Sequence, residues 1–173
     1  NWHNHKARPL KASILRKLNR KEEAVELIRE SLKIDRFNRG CRFEHYLLTE
    51  DQNLLAEMTG LMRRWEHTFI EYALDFGGAG LYDEAILFLE SYLSETRKVY
   101  PMIYYALGYF HACRGEKAHA LDYYRKAEKE DHSYCFPNRI EEVLILQNAL
   151  ELNDRAAKAA YSLGNFWYAA RQY

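Results

Sequence analysis

Proline and glycine are scarce in this 173-residue chain, at three and eight. Proline breaks helices and glycine weakens them, so their scarcity leaves long stretches free to be helical. Cysteine is as rare: Cys41, Cys113 and Cys135 are odd in number and lack any close metal-type pairing. That argues against a disulfide framework and fits a reducing, cytoplasmic compartment. Neither charge is in excess, since 25 basic residues balance 25 acidic ones. No net field would therefore draw the chain to nucleic acid or to an anionic membrane surface. The basic run Lys6, Arg8, Lys11, Arg16, Lys17, Arg20, Lys21 is answered by Glu22, Glu23, Glu26 and Glu30, as on a solvated helix face. No apolar run reaches the roughly 18 residues of a membrane span, and no charged-then-apolar leader opens the chain. Neither nucleic acid nor membrane is expected as a partner. The opening Asn1-Trp2-His3 lacks methionine, as expected of a piece cut from a longer protein.

What is present is 48% hydrophobic and 14% aromatic content, ample for a buried core, with apolar positions recurring at helical spacing. The expected class is all-α. Internal repetition organises it. Gly80 and Gly115 each precede a block leading to an alanine (Ala85, Ala120), and the two blocks lie 35 positions apart. The best copy runs over 101–134, with Tyr104, Leu107-Gly108 and His111 on its first helix and Ala120, Tyr124 and Ala127 on its second. Gly108 and Ala120 are small enough for two antiparallel helices to approach closely, and Gly115 suits a left-handed turn between them. A second copy covers 66–99, with Phe69, Tyr72-Ala73, Phe76, Gly80, Ala85, Leu89 and Tyr92. A looser, degenerate copy covers 5–36, with Ala12, Leu15, Asn19 at the turn, Ala24, Ile28 and Ser31. A last copy, 157–173, supplies Leu163-Gly164, Trp167 and Tyr173 before the chain stops, and reads as truncated. Two shorter helices are expected within 38–63 and one amphipathic helix over 138–152, with Asn138 as its N-cap; both segments read as irregular spacers in one solenoid.

The 101–134 copy resembles the tetratricopeptide repeat, whose period is about 34 residues and whose pattern is W-x2-L-G-x2-Y, then A-x3-F, then A. Here Tyr replaces Trp, His replaces Tyr, Tyr replaces Phe, and His132 stands where Pro is usual. The resemblance implies a right-handed superhelical solenoid of antiparallel helix pairs. Tyr134-Cys135-Phe136-Pro137-Asn138-Arg139 and Tyr161-Ser162-Leu163-Gly164-Asn165 further resemble the repeat region of a family of large bacterial proteins. In that family an amino-terminal domain of unknown function, with a sugar-processing-type β-sandwich, accompanies the repeats.

The tetratricopeptide resemblance implies that positions 2, 5, 9 and 12 of each repeat line a concave groove. They are His67, Ile70, Leu74 and Gly77; Met102, Tyr105, Tyr109 and Ala112; and Lys158, Tyr161, Asn165 and Tyr168. Such a tyrosine-rich surface suits a peptide or partner helix, though the same rings could pack against a neighbouring repeat. A carboxylate clamp of the chaperone-tail kind is incomplete, because only Lys158 and Asn165 fit it. The function expected is therefore a scaffold for a protein, a peptide or another domain of the parent chain. The alternative is a non-catalytic accessory region of a carbohydrate-active enzyme whose catalytic domain lies elsewhere.

No enzyme activity, metal or cofactor is expected. His3 and His5 form an H-x-H pair without a third ligand, His111 reads as a packed imidazole, and His119 and His132 read as surface or turn residues. The acidic pairs Glu22-Glu23, Asp83-Glu84 and Glu141-Glu142 open helices, where they face the macrodipole favourably. Gly77-Gly78-Ala79-Gly80 ends a helix and follows no strand, so it is no phosphate loop. The aromatic residues Phe166, Trp167 and Tyr168, beside Leu163, point either to a dimer through the truncated carboxy-terminal helix or to that helix folding back on the one from Glu141 to Leu152.

Overall fold

The computed structural model describes residues 4, 6–62, 65–93, 98–153 and 155–170. Among these it holds ten helices and no strand, an all-α helical-repeat architecture. The chain divides into two compact units, Asn1–Thr68 and Phe69–Tyr173. The His3/His5 pair lies outside the described residues.

The first unit is built from α1 (Ala7–Lys17), α2 (Lys21–Ile34), α3 (Arg39–Thr49) and α4 (Gln52–Met62). Asn19 takes a left-handed φ of 58° at the α1–α2 turn, a conformation that asparagine tolerates better than most residues. The fully buried Ala12 and Ala24 let these two helices pack closely. Ala12, Ile28 and Cys41 form the centre of a core against which Leu27, Leu32 and Leu48 pack. Asn38 caps α3, its side-chain oxygen accepting from the Cys41 N–H at 3.0 Å. Glu44 on α3 is fully buried yet charged by type. Its carboxylate accepts from Ser13 Oγ at 2.6 Å and from Arg16 Nε at 2.9 Å, both on α1. A buried ion is stable only with such partners.

The second unit takes in α5 (Glu66–Gly78) from Phe69 onward, α6 (Tyr82–Leu93), α7 (Pro101–Cys113), α8 (Lys117–Ala127), α9 (Ile140–Leu152) and α10 (Ala157–Ala170). Phe88 is the centre of the α5–α6 pair, with ring centroids 5.5 Å from Phe69 and 6.0 Å from Phe76. Gly80 and Gly115 adopt φ of 76° and 79° at the α5–α6 and α7–α8 turns, which glycine does without strain. Helix α7 is apolar nearly all round, as a helix must be when neighbours cover several of its faces. It packs on α6, α8 and α9. Gly108 gives α8 its close approach: a Cβ there would stand 2.5 Å from Tyr124 Cδ1 and 3.0 Å from the Ala120 carbonyl oxygen.

Helix α9 lies along α7, with α10 packed on α9. It starts at Ile140, so the N-cap position falls to Arg139, one residue beyond the expected Asn138. The Asn138 N–H donates to Glu142 Oε2 at 2.7 Å.

Candidate functional site

A cleft of about 170 Å³ opens in the second unit between α5, α7 and α9. Leu74, Gly77 and Gly78 supply one side, Tyr82, Tyr109 and Phe110 the floor, and Glu141 and Leu144 the other side. Gly77 is small for a reason, since a Cβ would stand 2.9 Å from Phe110 Cζ. Its absence lets the Phe110 ring settle on the α5 backbone, where Tyr82 stacks on it at 6.3 Å and 30°. Burial pushes the Tyr109 hydroxyl above its usual range, with Cys113 adding to the effect, so it stays a neutral phenol. Near the cleft Arg139 Nη2 pairs with Glu71 at 3.6 Å, and Leu144 stays half exposed at 49%. The result is a mostly apolar hollow with few charges at its edge, a geometry that accepts an apolar or aromatic side chain and its flanking backbone.

Of the residues expected to line a groove, Leu74, Gly77 and Tyr109 come together here. Ile70, Met102 and Tyr105 are fully buried. Tyr105 packs on Tyr124 of α8 with centroids 6.2 Å apart, and its hydroxyl donates to Glu128 Oε1 at 2.5 Å; burial drives its pKa far up. Within this chain the three have no free surface for a ligand. His67 is exposed on α5 and Ala112 is half buried.

Lys158, Tyr161, Asn165 and Tyr168 sit on α10, away from the cleft lining. Lys158 Nζ donates to the Glu130 carbonyl at 2.6 Å, which makes it a fastening within the unit. Asn165 is half buried, while Tyr161 and Tyr168 are exposed. Trp167 is exposed too, with Phe166 edge-on to it at 5.2 Å, whereas Leu163 is buried.

Tyr82, Phe110, Glu141 and Leu144 were missed by the repeat positions. The signal for Phe110 was Gly77, a small residue about one period earlier that leaves room for a ring. The first unit has a larger hollow, about 340 Å³. All its lining residues but His45 come from α2 (Val25, Ile28, Arg29, Leu32, Lys33), so it is the flank of one helix more than a space between elements.

A family model of the tetratricopeptide repeat matches residues 9–38, the copy that reads as the most degenerate. The segment that matches, α1 with α2, is thus similar to one tetratricopeptide repeat. Among solved structures, PilF of Pseudomonas aeruginosa is similar over 95% of this chain and 75% of its own, at 17% identity and a TM-score of 0.40. No curated protein matches the chain. No helix among the described residues is long and apolar enough to cross a membrane.

Proposed function

We propose that the chain is a non-catalytic scaffold that holds an extended peptide segment in the cleft between α5, α7 and α9. The segment would come from a partner protein or from another domain of its own parent chain. The observation that carries the reading is the convergence of Leu74, Gly77 and Tyr109, positions read as groove-lining from the repeat, on one hollow with Phe110 and Leu144. Tetratricopeptide repeats generally bind proteins, and an aromatic pocket of this kind anchors an apolar side chain, with peptide backbone bonded at the rim. The repeat boundaries 5–36, 66–99, 101–134 and 157–173 remain part of this reading. The exposed Tyr161, Trp167 and Tyr168 on α10 are a second surface, suited to pairing two copies.

The test is selection of peptides from a display library on the whole chain, followed by calorimetry with the winner. Tyr109→Ala and Leu144→Asp alter the cleft from its open side and should weaken binding by about tenfold or more, as truncating a central anchor does, with the thermal midpoint little changed. Tyr161→Ala should leave affinity as it was. If Tyr161→Ala abolishes binding and the two cleft variants bind as the parent does, the cleft is the wrong site.

A further inference from the structure

The turn between α7 and α8 gathers three metal-ligating side chains that the cleft does not use. His111 lies in the last turn of α7, Glu116 immediately before α8, and His119 in the first turn of α8. The left-handed Gly115 folds the end of one helix back beside the start of the next. His111 Nδ1 lies 2.6 Å from Glu116 Oε2, and His119 Nδ1 3.7 Å from the same oxygen. One ligand atom from each of the three falls within 4.8 Å of the others.

We propose that His111, Glu116 and His119 bind one divalent transition-metal ion of the zinc class. Bonds of about 2.0 Å in a tetrahedron set ligand atoms about 3.3 Å apart. The His111 contact must open by several tenths of an ångström and the His119 contact close by less. His119 is free to move, its side chain being 71% exposed, and the Glu116 side chain is 30% exposed. Two imidazoles and one carboxylate favour zinc, nickel or copper over magnesium or calcium. Three protein ligands leave a coordination position for water or for a donor group on another molecule.

The surroundings orient two of the three ligands, Glu116 and His111. The second oxygen of Glu116 accepts from Arg114 Nη2 at 2.9 Å, and Arg114 Nε pairs with Asp83 at 3.2 Å, so the carboxylate is aimed from behind. The His111 ring stacks on Tyr123 at 5.3 Å and 18°, which fixes its plane. His111 is nine-tenths buried, and its Nε2 has no hydrogen-bond partner. The ring's polar bonding is therefore all at Nδ1, on the side of Glu116. An ion there replaces that hydrogen bond and moves the ring proton to Nε2.

The experiment uses the whole chain stripped of metal with a chelator. Zinc is titrated by calorimetry against a magnesium control, and the imidazole nitrogens are followed by NMR. One-to-one zinc binding is expected, with the ring nitrogens of His111 and His119 shifting together. His119→Ala, at an exposed site, should keep the metal-free thermal midpoint and lose about tenfold or more in zinc affinity, as should Glu116→Gln. A double variant, His3→Ala with His5→Ala, should bind as the parent does. Absence of saturable binding, unchanged affinity in His119→Ala, or loss of binding only in the His3/His5 variant would overturn the proposal.

Discussion

Replacing Gly108 by alanine sets two effects of opposite sign against each other. Alanine is the better helix former by about 1 kcal/mol in a helix interior, so propensity alone predicts a more stable protein. The structure predicts the reverse. The new methyl would stand 2.5 Å from Tyr124 Cδ1 and closer still to Cε1, with the Ala120 carbonyl oxygen 3.0 Å away on the other side. Tyr124 is fully buried and cannot swing outward freely, and its hydroxyl donates to Asn148 Oδ1 of α9 at 2.6 Å. Overpacking of this kind costs about 1–3 kcal/mol, and displacing the ring forfeits a buried hydrogen bond worth about 1 kcal/mol. After subtracting the propensity gain, the net loss is about 1–3 kcal/mol, or a melting temperature lower by about 3–9 °C for a chain of this size. Calorimetric melting of Gly108→Ala beside Gly78→Ala gives the comparison, since a Cβ at Gly78 meets nothing within 4 Å. Gly78→Ala should be neutral or slightly stabilising. A Gly108→Ala protein that melts at or above the parent temperature would refute the close-contact argument.

Two further outcomes are expected. Arg16→Ala removes the Nε donor 2.9 Å from the buried Glu44 carboxylate, and urea denaturation should register a loss of about 3 kcal/mol in the first unit, in keeping with broken buried pairs; a loss below about 0.5 kcal/mol would show that the pair carries no stability. Burial holds the His132 imidazole below its usual pKa of 6.5, with Tyr105, Glu128, Asp131 and Lys158 as its ionisable neighbours. The unfolded chain therefore takes up this proton first as pH falls, so the contribution is fully present above pH 6.5 and is lost on acidification toward the lower folded value. An NMR titration of His132 with a midpoint above 6.5 would reverse that sign.

The turns were legible in the sequence because they are local. Asn19, Gly80 and Gly115 were placed at turns from residue type and spacing, and all three have positive φ. The closeness of α7 and α8 was legible from Gly108 and Ala120 for the same reason: small residues at matched positions leave one arrangement. Glu44 was not legible, because its partners lie 28 and 31 positions away and no local pattern announces a buried pair. The cleft was half legible. Tyr109 and Leu74 follow from repeat numbering, but that numbering treats every inward position as open, whereas Met102 and Tyr105 are sealed by the chain's own packing. The histidine cluster escaped for a related reason, since His111 and His119 belong to different helices and only the Gly115 turn makes them neighbours.

Glu128 makes the last helix a latch. Its carboxylate accepts from the backbone N–H groups of Lys158 and Ala159 at 3.0 and 3.1 Å, the first turn of α10, and also from the Tyr105 hydroxyl in the core. Helix α10 buries little of its own, with Ala159, Ser162 and Leu163 as its covered residues. Its hold on the unit thus rests heavily on one anion shared with α7. Were α10 to lift away, Glu128 would gain water and Tyr105 would lose the dry environment of its hydrogen bond, so the change would be felt at the centre of the unit.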